Sequence, residues 1–331
     1  MSEPIIKAKR LCYVRSEAPD LAVAETFLAE FGLEVAARSG EAIHYRGSDG
    51  DPPCYVLTKG DGGFTTIAFE AASRDDLEKI AAVPGASAIE KLDEPGGGEV
   101  VRLTDPVGIR VEIVHGRAAL DPLEPASPIP SNMDGAQNRT GVLPNLSSGP
   151  SKVKRIGHLV IESADPDAVA AWYRNHVGLR RSDDIRLPSG EAQMLFHRLD
   201  RGQDYVDHHV VGFQFSMDEG ARIQHVAWEV PNIDDLMKGH EHLKAKKRKH
   251  VWGVGRHRFG GQIFDYWKSP WGVIHEHWAD TDLFNEDFEA REWGAKDVQD
   301  YWGPPPGPGF LVSKWNFKTV KNIVKVLRAL A

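Results

Sequence analysis

Residues 255–277 read Gly-Arg-His-Arg-Phe-Gly-Gly-Gln-Ile-Phe-Asp-Tyr-Trp-Lys-Ser-Pro-Trp-Gly-Val-Ile-His-Glu-His. The Ser-Pro-Trp-Gly turn in this stretch joins two runs of strand-forming residues, 263–267 and 273–278, which predicts a β-hairpin. Because side chains alternate along a strand, Glu276 shares one face with Ile274 and Trp278. A carboxylate between two large apolar neighbours is either paired in the interior or bound to a metal.

The composition limits the class of protein. A chain of 331 residues is long enough for two ordinary domains. Its net charge of -8 argues against a nucleic-acid-binding surface. Cys12 and Cys54 are its two cysteines, too few for a disulfide framework, so we expect a cytoplasmic protein. No apolar run approaches the length of about 18 residues that a membrane helix needs, and we expect neither a signal peptide nor a membrane partner.

The second half of the chain repeats the first. Three segments match in the same order: 168–179 matches 22–33, 223–230 matches 64–71, and 269–276 matches 105–112. We therefore predict two copies of one fold built from helices and strands. The predicted boundaries are a first copy at 1–117, a Pro-, Ser-, Asn- and Gly-rich linker at 118–152, a second copy at 153–290, and an extension at 291–331.

Histidines distinguish the two copies. The second copy places His158 and His225 on two predicted strands and Glu276 on a third, whereas we align Cys12, Thr66 and Glu112 with these positions in the first copy. Two imidazoles and one carboxylate on neighbouring strands would form a facial metal site with three adjacent open positions. These donors suit Fe(II), with Mn(II) as an alternative. We interpret the second copy as the metal-binding one and the first as scaffold.

With these residues in place, the chain resembles the type I extradiol ring-cleavage dioxygenases of the vicinal oxygen chelate superfamily over residues 9–290. The similarity rests on Gly157-His158-Leu-Val, the pair His208-His209, and the series His257, Tyr266, Pro270-x-Gly272 and Glu276. It implies an α+β fold of four βαβββ modules, two per domain. Each pair of modules curls a mixed sheet around a funnel, and the C-terminal funnel alone holds Fe(II).

The resemblance also implies a role for each matched residue. His158, His225 and Glu276 fall at metal-ligand positions, His209 at that of the acid/base, and His257 and Tyr266 at those of the pair that orients substrate. His208 is the alternative acid/base if the alignment shifts by one residue. Phe259 replaces a polar residue common in the family, and Gln262 is the alternative polar contact. The implied reaction opens a catechol-type ring with O2 during the catabolism of aromatic compounds, in a homo-oligomer.

Other functions remain open at this point. A 2-oxo-acid-dependent oxygenase related to hydroxyphenylpyruvate dioxygenase shares the two-domain layout but does not require His209, His257 and Tyr266. A bleomycin-resistance-like protein uses the same fold to sequester a ligand without a metal. A glyoxalase-like isomerase would need a further carboxylate ligand, for which the sequence offers no clear candidate.

Two features lie beyond the repeated modules. The segment 302–310 is rich in proline and predicts a stiff surface strap or a cover for the site. The predicted helix 315–330 collects apolar side chains on one face, which we expect to dock on its own chain or on a second subunit. These side chains are Phe317, Val320, Ile323, Val324 and Leu327.

Overall fold

Two large mixed sheets, one from each half of the chain, form the molecule. The computed structural model describes residues 3–124, 130–144, 146–312 and 314–330. The predicted linker 118–152 includes residues 125–129 and 145, which lie outside the described residues, as do residues 1, 2, 313 and 331. The domain boundaries given above stay predictions.

The first sheet has eight strands, and the same half of the chain contains two helices. Its strands are β1 (Arg10–Ala18), β2 (Glu34–Ser39), β3 (Ala42–Arg46), β4 (Tyr55–Lys59), β5 (Gly63–Glu70), β6 (Glu90–Lys91), β7 (Glu99–Thr104) and β8 (Arg110–His115). Helix α1 (Leu21–Phe31) follows β1, and helix α2 (Arg74–Ala81) follows β5. The strand order across the sheet is β2-β3-β4-β1-β5-β8-β7-β6.

The second sheet has nine strands. They are β9 (Arg155–Ser163), β10 (Leu179–Arg186), β11 (Ala192–Leu199), β13 (Val211–Phe215), β14 (Arg222–Glu229), β15 (Lys249–Arg256), β16 (Ile263–Lys268), β17 (Ile274–Ala279) and β19 (Arg291–Gly294). Helices α3 (Pro166–Val177) and α4 (Ile233–Ala245) follow β9 and β14. Two short strands, β12 (Val206–Asp207) and β18 (Leu283–Phe284), pair with each other outside this sheet.

The two sheets share one topology, which confirms the predicted fold class. In the second sheet the order is β15-β16-β17-β14-β9-β13-β11-β10-β19. Each half therefore contains two βαβββ modules whose first strands pair antiparallel at the centre of the sheet, β1 with β5 and β9 with β14. In each module the last strand lies parallel beside the first, which the helical crossover makes possible.

Matching capping residues explain why α1 and α3 repeat in sequence. Asp20 and Asp165 occupy the N-cap positions and accept hydrogen bonds from the first backbone N–H groups of their helices. Gly32 and Gly178 end the helices with φ values of 107° and 74°. A side chain is strained in that left-handed conformation, so glycine is favoured at both positions.

The two halves pack against each other through a common core. Phe31 at the end of α1 stacks on the His277 ring, with 3.8 Å between ring centroids. The His277 Nε2–H group donates to the Phe31 carbonyl oxygen at 2.8 Å. His275 and His277 thus face the first half, while Glu276 points to the opposite face of β17, as the alternation in the hairpin predicts.

The C-terminal extension follows the last module strand and returns to the second sheet. Its strand β19 pairs in parallel with β10, a short helix α5 covers Pro308–Leu311, and helix α6 covers Phe317–Leu330. The predicted apolar face of α6 is largely exposed, with Phe317 at 86% and Leu327 at 61%. Of the two predicted alternatives, the structure does not show this face docked on its own chain, and docking on a second subunit stays a prediction. Within the described ranges, no helix has the length and apolar character needed to cross a bilayer.

Candidate active site

Three polar side chains converge on the second sheet at one buried point. The Nε2 atom of His158 lies 3.1 Å from Glu276 Oε2, and the Nε2 atom of His225 lies 3.2 Å from the same oxygen. All three side chains are buried, and their donor atoms lie within 4.8 Å of one another. The structure thus brings together the three residues that the sequence predicts as a metal site.

Strand register explains the convergence. His158 lies on β9, His225 on β14 and Glu276 on β17, and β14 is the strand between the other two. Ala227 pairs with His158 on one side and with Glu276 on the other, and His225 precedes it by two residues on the same face. The small side chain of Ala227 leaves the space between the three donors open.

The first half carries a carboxylate in the same register but neutralises it differently. Glu112 on β8 pairs with Ala68, as Glu276 pairs with Ala227. The Tyr13 hydroxyl donates to Glu112 Oε2 at 2.5 Å, and the guanidinium groups of Arg15 and Arg102 bind its two oxygens at 3.0 and 3.2 Å. Two guanidinium groups and one phenol thus bind the carboxylate of the first half.

One alignment between the halves is wrong. We aligned Cys12 with His158, but the strand pairing places Tyr13 there, because Tyr13 opposes Ala68 as His158 opposes Ala227. Both first strands have a register irregularity immediately before this position, so Cys12 corresponds to Gly157. The other two alignments, Thr66 with His225 and Glu112 with Glu276, agree with the pairing.

The three side chains of the second half fit a divalent metal ion. Among the described residues, Glu276 has ion-pair partners only in the two histidines, and its Oε1 atom has no hydrogen-bond partner. Burial raises the pKa of Glu276, but the two facing imidazoles outweigh burial and the pKa lies below its usual range. Burial lowers the pKa of His225, which favours the neutral ring that a metal requires. A cation would compensate this buried negative charge.

A glutamine sets the proton position on His225. The side-chain oxygen Oε1 of Gln224 contacts His225 Nδ1, and the Gln224 amide nitrogen lies 3.4 Å from the Phe310 carbonyl oxygen. Because an amide oxygen only accepts, His225 carries its proton on Nδ1 and presents an unprotonated Nε2 to the site. The corresponding Nδ1 atom of His158 has no hydrogen-bond partner in the described part of the chain.

Hydrogen bonds link Asp183, His208 and His209 in a chain that ends at His209. The His208 Nε2 atom lies 2.7 Å from Asp183 Oδ2, and His208 Nδ1 lies 3.0 Å from His209 Nδ1. Arg291 and Trp293 on β19 donate three hydrogen bonds to the Asp183 carboxylate. Burial raises the pKa of Asp183, but these donors and His208 outweigh it and the carboxylate stays ionised.

The direction of these hydrogen bonds follows from the ionised carboxylate. Asp183 only accepts, so His208 carries its proton on Nε2 and offers the lone pair of Nδ1. His209 then donates through its Nδ1–H group and keeps an unprotonated Nε2. Burial and the neighbouring imidazoles lower the pKa of His209 well below its usual value, which favours this neutral ring. His209 lines the cavity beside the site, whereas His208 lies behind it.

His257 and Tyr266 form a pair on the opposite side of the cavity. The Asp300 carboxylate accepts from His257 Nδ1 at 2.9 Å, and the Tyr266 hydroxyl lies 3.0 Å from His257 Nε2. Because a carboxylate only accepts, His257 carries its proton on Nδ1, and the lone pair of its Nε2 atom faces the Tyr266 hydroxyl. The phenol is therefore the donor in this hydrogen bond. The Tyr266 ring lies 5.2 Å from that of His225, between centroids, so the pair borders the proposed metal position.

A cavity of about 250 Å³ adjoins these groups. Its walls include Phe196, Trp252, Phe259 and Phe310, together with aliphatic side chains. Gln262 is fully buried against it, and both amide atoms lack a hydrogen-bond partner among the described residues. The segment 304–311 closes one side, where the Pro304 carbonyl oxygen accepts from the Trp252 indole N–H at 2.7 Å. The interpretation of this segment as a cover fits its position.

Sequence reasoning missed the residues that hold these histidines in place. Asp183, Gln224, Asp300 and the Phe310 carbonyl were not selected, although each contacts a predicted site residue or its neighbour. Gln224 could have been selected from the sequence, because it is the residue directly before His225. Asp183 and Asp300 lie 25 and 43 residues from their histidines, so no local spacing indicates the contacts.

Comparisons with known proteins find similar sequences and a similar fold. The family model of the Glyoxalase/Bleomycin resistance protein/Dioxygenase superfamily matches residues 155–276. Metapyrocatechase 2 of Cupriavidus necator is 28% identical over 298 residues, which cover 87% of each chain. The iron-dependent extradiol dioxygenase of Rhodococcus jostii is 26% identical and covers 89% of this chain and 96% of its own.

A solved structure shows the same fold. Homoprotocatechuate 2,3-dioxygenase from Brevibacterium fuscum, in complex with 3,4-dihydroxyphenylacetate, superposes with a TM-score of 0.76 at 19% identity and covers 94% of this chain and 93% of its own. The sequence relatives and this fold agree with the resemblance stated from the motifs. In its motifs, its sequence relatives and its fold, the chain is therefore similar to the type I extradiol dioxygenases of the vicinal oxygen chelate superfamily.

Proposed function

We propose that this enzyme opens the ring of a catechol-type diol with O2 at one Fe(II) ion bound by His158, His225 and Glu276, with Mn(II) as the alternative metal. The observation that carries the proposal is the contrast between two carboxylates in the same register. Glu112 is neutralised by arginines, whereas the ion-pair partners of Glu276 among the described residues are two imidazoles. We also propose that the protein resides in a reducing compartment such as the cytoplasm, because Cys12 and Cys54 are unpaired thiols.

The three proposed ligands come from one side of the metal position. A divalent ion held there would offer adjacent open positions for the two diol oxygens and for O2. Gln224 keeps the His225 lone pair directed to that position, and the Phe310 carbonyl orients Gln224 in turn.

His209 supplies the proton chemistry in this proposal. A diol must lose a proton to bind as an anion, and the unprotonated Nε2 of His209 is the acceptor that its hydrogen bond to His208 leaves available. The same nitrogen returns the proton later in the reaction. When the diol binds, the Tyr266 hydroxyl exchanges its hydrogen bond to His257 for one to the substrate oxygen and stabilises the negative charge there.

The cavity favours a diol with an apolar substituent. Phe196, Phe259 and Phe310 provide aromatic walls, and Ile185 and Met194 add aliphatic surface. Arg258 also lines the cavity, but its guanidinium donates to the Asp297 carbonyl oxygen and lies over the Trp293 ring. We therefore expect a bicyclic or alkylated catechol to have a higher kcat/KM than a carboxylated one.

The proposed function is tested by loading the protein with Fe(II) without oxygen and then adding O2 with monocyclic, bicyclic or carboxylated catechols. A yellow ring-opened product and uptake of one O2 per product are expected. Stoichiometric metal without cleavage of any diol would contradict the proposal, and a protein that binds catechols without metal would be a sequestering protein. Turnover that requires a 2-oxo acid would indicate the other oxygenase class.

Gln262→Leu is expected to lower kcat/KM for the preferred diol about fivefold while raising stability. The buried amide has no protein partner, so we expect it to hydrogen-bond the substrate, a contact of about 1 kcal/mol. Leucine has a similar volume and removes an unsatisfied polar group. Steady-state kinetics and thermal unfolding check the two effects, and a loss of stability with unchanged kcat/KM would contradict this assignment.

The proposal retains the expected homo-oligomer. Helix α6 exposes Phe317, Val320, Val324 and Leu327 on one face, and such a face usually marks an interaction surface. Light scattering of the full chain is expected to give a multiple of the mass of one chain, and Leu327→Glu is expected to lower it. A wild-type protein that stays monomeric at micromolar concentration would rule out this role for α6.

A further inference from the structure

A second group of two imidazoles and one carboxylate lies on the other face of β16 from Tyr266. His240 comes from α4, His250 from β15 and Asp265 from β16. The His250 Nε2 atom lies 2.8 Å from Asp265 Oδ1, and the His240 Nδ1 atom lies 3.1 Å from Asp265 Oδ2. The three donor atoms lie within 4.8 Å of one another.

The charge of Asp265 lacks a lysine or arginine partner in the described part of the chain. Its side chain is fully buried, and its ion-pair partners there are His240 and His250. If both imidazoles are neutral, one buried negative charge stays uncompensated, which is costly. This is the same imbalance that Glu276 shows in the catalytic half of the sheet.

We propose that His240, His250 and Asp265 form a second metal site, which takes a divalent first-row transition ion such as Zn(II). Two donors of a tetrahedral zinc ion lie about 3.3 Å apart, close to the separations found here. The Trp267 indole N–H donates to Asp265 Oδ2 at 2.6 Å and orients the carboxylate, as the neighbours of metal ligands commonly do.

Access and coordination number fit a bound ion. The His250 side chain is 31% exposed, so an ion can enter from solvent, while the other two donors lie inside. Three protein ligands leave the fourth position to water on the exposed side. The ion would join α4 to β15 and β16, and it would stabilise the strand that carries Tyr266 without touching the substrate.

The number of bound ions tests this site independently of ring cleavage. Metal-free full-length protein is dialysed against Zn(II), and bound zinc is counted in four forms. We expect two equivalents in the wild type, one in Glu276→Ala, one in His250→Gln and none in the double variant. Zn(II) should also raise the melting temperature of Glu276→Ala but not that of the double variant.

His242→Gln is the matched control, because His242 lies on α4 near His240 but outside the cluster. It should bind two equivalents, as the wild type does. A wild type whose single equivalent is lost in Glu276→Ala, or a double variant that still binds one equivalent, would overturn the proposal. A wild-type count of two supports the second site even if a variant fails to fold, and ring cleavage is measured separately.

Discussion

His225→Ala is expected to lose both its metal ion and ring cleavage. His225 provides one of three proposed ligands, and its Nε2 atom faces Glu276 Oε2 at 3.2 Å. Removing it leaves His158 and the buried Glu276 carboxylate, which then pairs with a single imidazole. Two donors hold a divalent ion far more weakly than three, so both metal content and turnover should fall to background. Elemental analysis and an oxygen-electrode assay measure the two losses.

A histidine of the first half provides the control for this variant. His115→Ala removes a partly exposed imidazole on β8 and should leave metal content and turnover unchanged. If His225→Ala keeps a full equivalent of iron and cleaves the ring, the metal position lies elsewhere. Circular dichroism should show that both variants keep the fold.

His209→Ala is expected to keep its metal and lose turnover by about 10²- to 10⁴-fold, the usual contribution of a positioned acid or base. His209 does not belong to the three converging donors, although its ring lies 4.2 Å from that of His158 between centroids. The defect should therefore appear in kcat, while the Fe(II) content and the affinity for the diol stay close to those of the wild type. Anaerobic titration with substrate separates binding from turnover.

Asp183→Asn tests the chain of hydrogen bonds behind His209. An amide oxygen can still accept from His208, but the negative charge that fixes the tautomers is gone. We expect a smaller loss in kcat than in His209→Ala, about tenfold on the scale of one hydrogen bond to a charged group. The pH profile of kcat should also shift. Equal kcat and an unchanged pH profile would show that Asp183 only supports the fold.

The repeat made the convergence of His158, His225 and Glu276 predictable from the sequence. Comparing the halves singled out the two histidines, because the first copy lacks them, whereas a glutamate occurs at the third position in both copies. The hairpin of residues 263–278 also follows from a local signal, since a turn is encoded within a few residues. Its two strands were predicted close to their observed bounds.

Features that depend on distant contacts were not predictable in this way. Helix α3 has one residue more than α1, so an offset taken from the helix ends paired Cys12 instead of Tyr13 with His158. Strand β2 was not predicted, because none of its residues is buried and they do not alternate in polarity. The contacts of Asp183 and Asp300 depend on how the extension packs, which no local pattern reports.

The C-terminal extension has a consequence for how the enzyme is made. Arg291 and Trp293 donate hydrogen bonds to the Asp183 carboxylate. Asp300 accepts a hydrogen bond from His257, and the Phe310 carbonyl oxygen accepts one from Gln224. A ribosome synthesises these four residues after every strand of the four modules. The imidazoles of a nascent chain therefore acquire their final orientation late in translation. The finished polypeptide is accordingly the form best suited to bind the cofactor.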